Sequence, residues 1–159
     1  MFDADEAAGR VKAALEAYPD DPSGLGEDQA GAGFAQLQRI SEMVEAKRLR
    51  WLADQDRRAS CRRDGYLSTA TWLAHRFQVA PGSAKKQVQV AQALEQMPHV
   101  RETFFRGGVS SSAVQILADA RREHPAEFAG GETALGGCGR LQAGRGAPPG
   151  GERVGADDR

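Results

Sequence analysis

Lys85, Lys86 and Gln89 open the segment PGSAKKQVQVAQALEQ, and they are the side chains whose types and spacing best suit an intermolecular contact. With Ala84 as the origin and about 100° per residue, Val88 and Ala91 fall within about 40° of it. Lys85, Lys86, Gln89, Gln92 and Gln96 fall on or toward the far side. Lysines neutralise phosphates, and a glutamine amide can read an adenine edge. Arg62 and Arg63, just upstream, could lie over a sugar-phosphate backbone. Helices that pack without touching DNA, and faces that merely solvate, produce the same pattern.

Chemistry of the bond-breaking kind finds no support. Ser110, Ser111 and Ser112 have no histidine or lysine placed by motif to activate them and no GxSxG around them, so a helix cap accounts for them. Gly107-Gly108 lacks the GxxxxGK[ST] pattern of a phosphate loop. Asp54 and Asp56 are two apart on a helix and diverge. His75, His99 and His124 stand in no metal-binding register, and Cys61 and Cys138 lie far apart without CxxC spacing. The expectation is no enzyme activity, no catalytic residue, no metal and no cofactor.

The elements that must position these residues read as helices throughout. Ser68 and Thr69 offer caps to a first short helix, with Ala70, Leu73, Ala74 and Phe77 at helical spacing and Trp72 beside them. Gln78-Val79-Ala80 forms a turn, and Pro81 suits the first position of a second helix, where its missing N–H costs nothing. The outline is that of a helix-turn-helix, whose second helix can enter a major groove.

Upstream, 3–18 has an acidic first turn and apolar Ala7, Val11, Ala14, Leu15 and Tyr18, which predicts an amphipathic helix. The stretch PDDPSGLG is a linker. From Glu27 to about Ser60 no proline intervenes, and Phe34, Leu37, Ile40, Val44, Trp51 and Leu52 recur at threes and fours. One long helix follows from this, either the spine of a bundle or a surface for pairing with a second copy of the chain. Gly65 suits a left-handed turn after it. Downstream, Met97-Pro98 breaks the chain, 99–106 is a short helix stopped by Gly107-Gly108, and a last helix runs from the serine triplet to near His124-Pro125.

Charge is distributed unevenly although the formal net charge is only −1. Residues 1–28 hold two basic and eight acidic side chains, residues 29–60 six and four, and residues 61–106 seven and three. No global basic field draws the chain to nucleic acid, so any attraction must be local. No apolar run approaches the ~20 residues needed to cross a bilayer, and the acidic start is unlike a signal peptide. The expected setting is cytoplasmic, with reduced thiols and no membrane partner.

In order, DGYLSTATWLA, the AKKQVQVAQAL helix, MP and FFRGGVSSSAVQILADA resemble the domain-of-unknown-function 222 family, the amino-terminal module of actinobacterial 13E12 repeat proteins. The matching stretch runs from about Phe34 to Phe128. In that family the helical module commonly precedes an HNH nuclease domain, so the resemblance implies association with mobile or repeated DNA and a role in binding it. It supplies no catalytic residue for this module.

An HNH site needs a histidine base and metal-binding His or Asn residues. After His124 the chain has neither type. Residues 129–159 are instead 10 glycines, 5 alanines, 4 arginines and 2 prolines among 31, with Leu135, Leu141 and Val154 as the only aliphatics larger than alanine. Such a stretch buries too little apolar surface to offset its ordering entropy, and disorder is expected. A frameshift near codon 130 would explain it, with a natural Gly-rich linker as the alternative; the gene read in its other frames decides between them.

The expectation is therefore an all-α helical bundle with one long helix and a helix-turn-helix-like pair. An acidic helix and linker occupy 1–26, the helical domain 27–128 and the Gly-rich stretch 129–159. The expected function is that of a non-catalytic module of a truncated HNH-associated protein that binds DNA through Lys85, Lys86, Gln89, Arg62 and Arg63. The alternatives are a helical oligomerisation or protein-interaction module, and a gene remnant without a function of its own.

Overall fold

The computed structural model describes residues 1–125 and residue 128, and among these every regular element is helical. The Gly-rich stretch 129–159, with the disorder and frameshift expected of it, lies outside the described residues.

Helix α1 (Ala4–Glu16) starts where the Asp3 carboxylate accepts from the N–H groups of Asp5 (2.9 Å) and Glu6 (3.0 Å). Asp5 and Glu6 add favourable charge at its positive end. It buries no residue. A linker with a single turn at Pro22–Gly24, capped by Asp21, leads to α2 (Glu27–Arg57).

Helix α2 has 31 residues, which at 1.5 Å per residue is about 46 Å of helix. Its buried side chains begin at Glu42 and continue with Ala46, Leu49, Leu52 and Ala53. Of the apolar residues whose spacing marks the helix, Leu52 is buried, whereas Phe34, Val44 and Trp51 are 71%, 51% and 59% exposed. Small residues, with the leucines at 49 and 52, let α2 approach the other helices closely, while Val44 and Trp51, about 20° apart around the helix, line its outer flank. The helix ends at Arg57, short of Ser60, because Ala59 takes a left-handed conformation (φ 50°) and a short 3-10 helix, Ser60–Asp64, follows. Gly65 (φ 80°) closes that element rather than α2.

Helix α3 (Thr69–Phe77) is capped by the Ser68 hydroxyl, which accepts from the Thr71 N–H at 3.1 Å. Gln78, in the left-handed region at φ 54°, turns the chain into α4 (Pro81–Glu95), which has proline in its first turn. Helix α5 (Pro98–Phe105) also begins with proline, and α6 (Ser111–Glu123) is capped by the Ser110 hydroxyl.

Helix α4 is the centre of the bundle, packed against α2, α3, α5 and α6. Besides Ala84, Val88 and Ala91 it buries Val90 and Leu94. Its buried arc is therefore wider than one amphipathic face. Phe104, Met97, Val100 and Val114 are the largest fully enclosed side chains and gather α5, α6 and the turn before α5 around it.

Two polar devices fix α6 on α2. The buried Glu42 carboxylate accepts from the backbone N–H of Ser111 (2.7 Å) and from the Gln38 amide (2.9 Å). An anion thus sits at the N-terminus of α6, where the unpaired amides and the helix dipole favour it. Beside it, Gly107 (φ 67°) brings the chain so close to α2 that a Cβ would stand 2.6 Å from Arg39 Cγ and 3.1 Å from the Arg39 carbonyl oxygen. The Arg39 Nε–H donates to the Arg106 carbonyl at 3.3 Å. The glycine pair therefore does more than stop α5.

Candidate nucleic-acid interface

The α3–turn–α4 unit has the outline expected of it, but α4 exposes only a strip. Ala84, Val88, Val90, Ala91 and Leu94 face other helices, so what remains outward is Lys85, Gln92 and Gln96, with Gln89 half-buried beside them. At i, i+4, i+7 and i+11 from Lys85, these four follow one helical stripe. Several amides of α4 are already engaged. The Gln92 amide donates to Asp56 of α2 at 2.7 Å, and Gln87 accepts from Arg48 at 3.0 Å.

Lys86 has a partner inside the bundle that its position in the sequence did not disclose. Its ammonium group donates to both carboxylate oxygens of Asp119 on α6. Arg122 reaches the same carboxylate at 3.2 Å. The hydrogen bond from Lys86 holds Asp119 below the ordinary carboxylate range, outweighing the opposing effect of desolvation, and the charges of Lys86 and Arg122 act in the same sense. A depressed folded-state pKa makes the clasp stabilising above the unfolded-state value near 4. That contribution fades as pH falls through the folded-state value.

Between α4 and α6 runs a groove of about 320 Å³. Lys86, Gln89, Gln92 and Gln96 form one wall, and Arg121 and Arg122 stand on the other with Asp119. Lys85 and Arg121 form no salt bridge among the described residues. The two arginines of α6 were missed in the sequence, where Arg121-Arg122 reads as an ordinary basic last turn. A basic pair at a helix C-terminus is a usable signal, but only the packing of α6 on α4 places it across the groove from Lys86 and the glutamines.

Arg62 and Arg63 are exposed on the 3-10 helix, which packs on α2 and α3. No hydrogen bond or salt bridge among the described residues ties them to the groove. Among the described residues no group of three His, Cys, Asp or Glu side chains could hold a metal ion. Cys61 is buried, and His75 meets Tyr66 edge-on at 5.7 Å. No described helix is long and apolar enough to cross a membrane.

Residues 32–131 match the family model described as a domain of unknown function, DUF222. The chain belongs to the DUF222 family. The match takes in α3, α4, α5 and α6 whole and all but the first turns of α2, so the bundle just described is the DUF222 unit of this chain, and α1 lies outside it. Comparison with curated proteins and with solved structures gives no match.

Proposed function

We propose that this DUF222 bundle is a non-catalytic, cytoplasmic nucleic-acid-binding module whose contact surface is the exposed stripe of α4 together with the carboxy-terminal turn of α6. One observation carries the reading: the α4–α6 groove combines three glutamine amides with Lys86, Arg121 and Arg122 and a single carboxylate, Asp119, that Lys86 and Arg122 already neutralise, and Lys85 extends the same stripe of α4. Amides can donate and accept at base edges, and the cations suit phosphates. Lys85 and Gln89 keep the roles expected from the sequence, and Arg121 joins them. Lys86 acts first as the partner of Asp119. Arg62 and Arg63 enter as a separate backbone clamp on the 3-10 helix. In a longer protein such a module would deliver an HNH-type nuclease to DNA while contributing no catalytic group.

The test is a salt titration of binding to a short duplex. With Lys85 and Arg121 as the available cations, log K should fall with log salt at a slope of about −2, roughly a tenfold loss between 50 and 200 mM. Asp119→Asn releases Lys86 and Arg122, so it should tighten binding by roughly tenfold at low salt and steepen the slope by about one to two units. Lys85→Glu with Arg121→Glu should abolish binding while circular dichroism stays unchanged. Absence of any low-salt shift in both the native chain and the Asp119→Asn variant would end this reading. The same titration on Arg62→Ala with Arg63→Ala reports whether the 3-10 helix joins the contact.

A second reading is a helical oligomerisation module. It is favoured by the outer flank of α2, where Val44 and Trp51, two turns apart on one side, are each more than half exposed. Large apolar side chains in a row on one helix are the usual material of a pairing surface.

A further inference from the structure

An aromatic groove separates α2 from α3. Trp51 and Leu52 form one side, Trp72, Leu73 and Phe77 the other, and Arg48 stands at its lip. Its volume of about 440 Å³ is enough to take apolar side chains from a partner. Trp72 and Phe77 already meet edge-on at 5.3 Å, yet Phe77 is 57% exposed and Trp51 59%. The groove is built, and among the described residues of the bundle nothing fills it.

The chain carries a segment suited to it. Phe2 lies edge-on to Trp51 with ring centroids 5.6 Å apart, at the rim of the groove, and is itself 67% exposed. Helix α1, which follows Phe2, buries no residue, so moving it gives up no core. Residues 17–26 join it to α2 with two prolines and two glycines, and ten residues extended span about 33 Å. The arm can therefore reach a neighbouring molecule. Charge favours the meeting: residues 1–28 hold eight acidic and two basic side chains, and residues 29–106 hold thirteen basic and seven acidic ones.

We propose that the groove between α2 and α3 receives the amino-terminal arm of a second copy of this chain, with Phe2 as the anchor, and that the exchange is reciprocal. A reciprocal exchange closes on itself as a two-fold dimer instead of propagating. Within one chain Phe2 meets Trp51 without lining the groove, and in the partner it would pass between Trp51 and Phe77. The inference is independent of nucleic-acid binding. It rests on the oligomer reading, to which it adds the occupant and the seat.

Sedimentation equilibrium of the full chain over a wide concentration range tests it. The native protein should pass from 17.0 kDa to twice that mass as concentration rises. Phe2→Ala removes two anchors per dimer and should raise the dimer dissociation constant on the order of a hundredfold. Phe77→Asp, at a position that is 57% exposed and outside the buried core, should do the same while the circular dichroism stays unchanged. Mixing the two variants restores one complete arm-and-groove pair, and a heterodimer of intermediate affinity should appear. A native chain that stays monomeric at every concentration overturns both this inference and the oligomer reading. A dimer indifferent to both substitutions overturns the arm exchange alone and leaves α2 pairing in place. A dimer lost on Phe77→Asp but kept on Phe2→Ala also overturns it, because the groove then holds something other than the arm.

Discussion

Phe104→Ala should lower the free energy of unfolding by about 3–5 kcal/mol. The ring is 1% exposed and shares the core with Met97, Val100 and Val114, the other largest fully enclosed side chains. Truncation loses the transfer free energy of the ring and leaves a cavity that helices held by α4 on several sides cannot easily close. A domain of this size has a total stability of about 5–15 kcal/mol, so the variant should be near its folding limit. Urea unfolding followed by circular dichroism measures the difference directly. A loss below about 1 kcal/mol would mean that α5 is not locked into the core as described.

Gly107→Val should cost about 3 kcal/mol, from two separate sources. A left-handed φ of 67° is unfavourable for any side chain and worst for a branched one. The new Cβ would also press on the Arg39 side chain and on its carbonyl oxygen, which belongs to the backbone of α2 and cannot swing aside. Gly108→Ala makes the comparison informative. Its Cβ would meet Thr103 Cγ2 at 3.0 Å and the Thr103 carbonyl oxygen at 3.3 Å, neither on α2 and neither as close as Arg39 Cγ is to Gly107, and there is no positive φ, so its cost should be smaller. Equal effects at the two positions would show that the close approach to α2 is not what holds Gly107.

Much of this architecture can be read from local signals. Pro81 and Pro98 start helices where a first-turn proline should, and Ser68 and Ser110 cap helices through their hydroxyls. The helix-turn-helix outline and the all-helical class follow from these markers, because capping and proline effects are decided within a few residues. Which face of a long helix is buried is not decided so locally. In α2 the bulky apolar residues Val44 and Trp51 stay outward, and of that periodic set Leu52 joins the buried face, which is completed by Ala46, Leu49 and Ala53 around the carboxylate of Glu42. A buried acid is legible only once the amide it serves is known, and that amide belongs to Ser111, 69 residues away.

The same limit governs the candidate interface. Turning α4 at 100° per residue places Lys85, Gln92 and Gln96 outward, in agreement with the structure. Lys86 also falls on the far side of that wheel, but another helix lies there. Its pairing with Asp119, and the arrival of Arg121 across the groove, depend on how α6 returns to α4. Pairings between residues more than thirty positions apart leave no periodic trace in a single sequence.

Glu42 is the first residue of α2 to be buried. The turns of the helix before Arg39, which itself still holds the Arg106 carbonyl and lies against Gly107, bury no residue, and a helical stretch of that length is only marginally stable in water by itself. Deuterium labelling of the native protein should thus divide this one helix into two kinetic classes, with amides near Phe34 exchanging by local fraying and those near Leu49 only on global opening. The continuous rod would then act as two mechanical parts, a stiff root and a pliant mast.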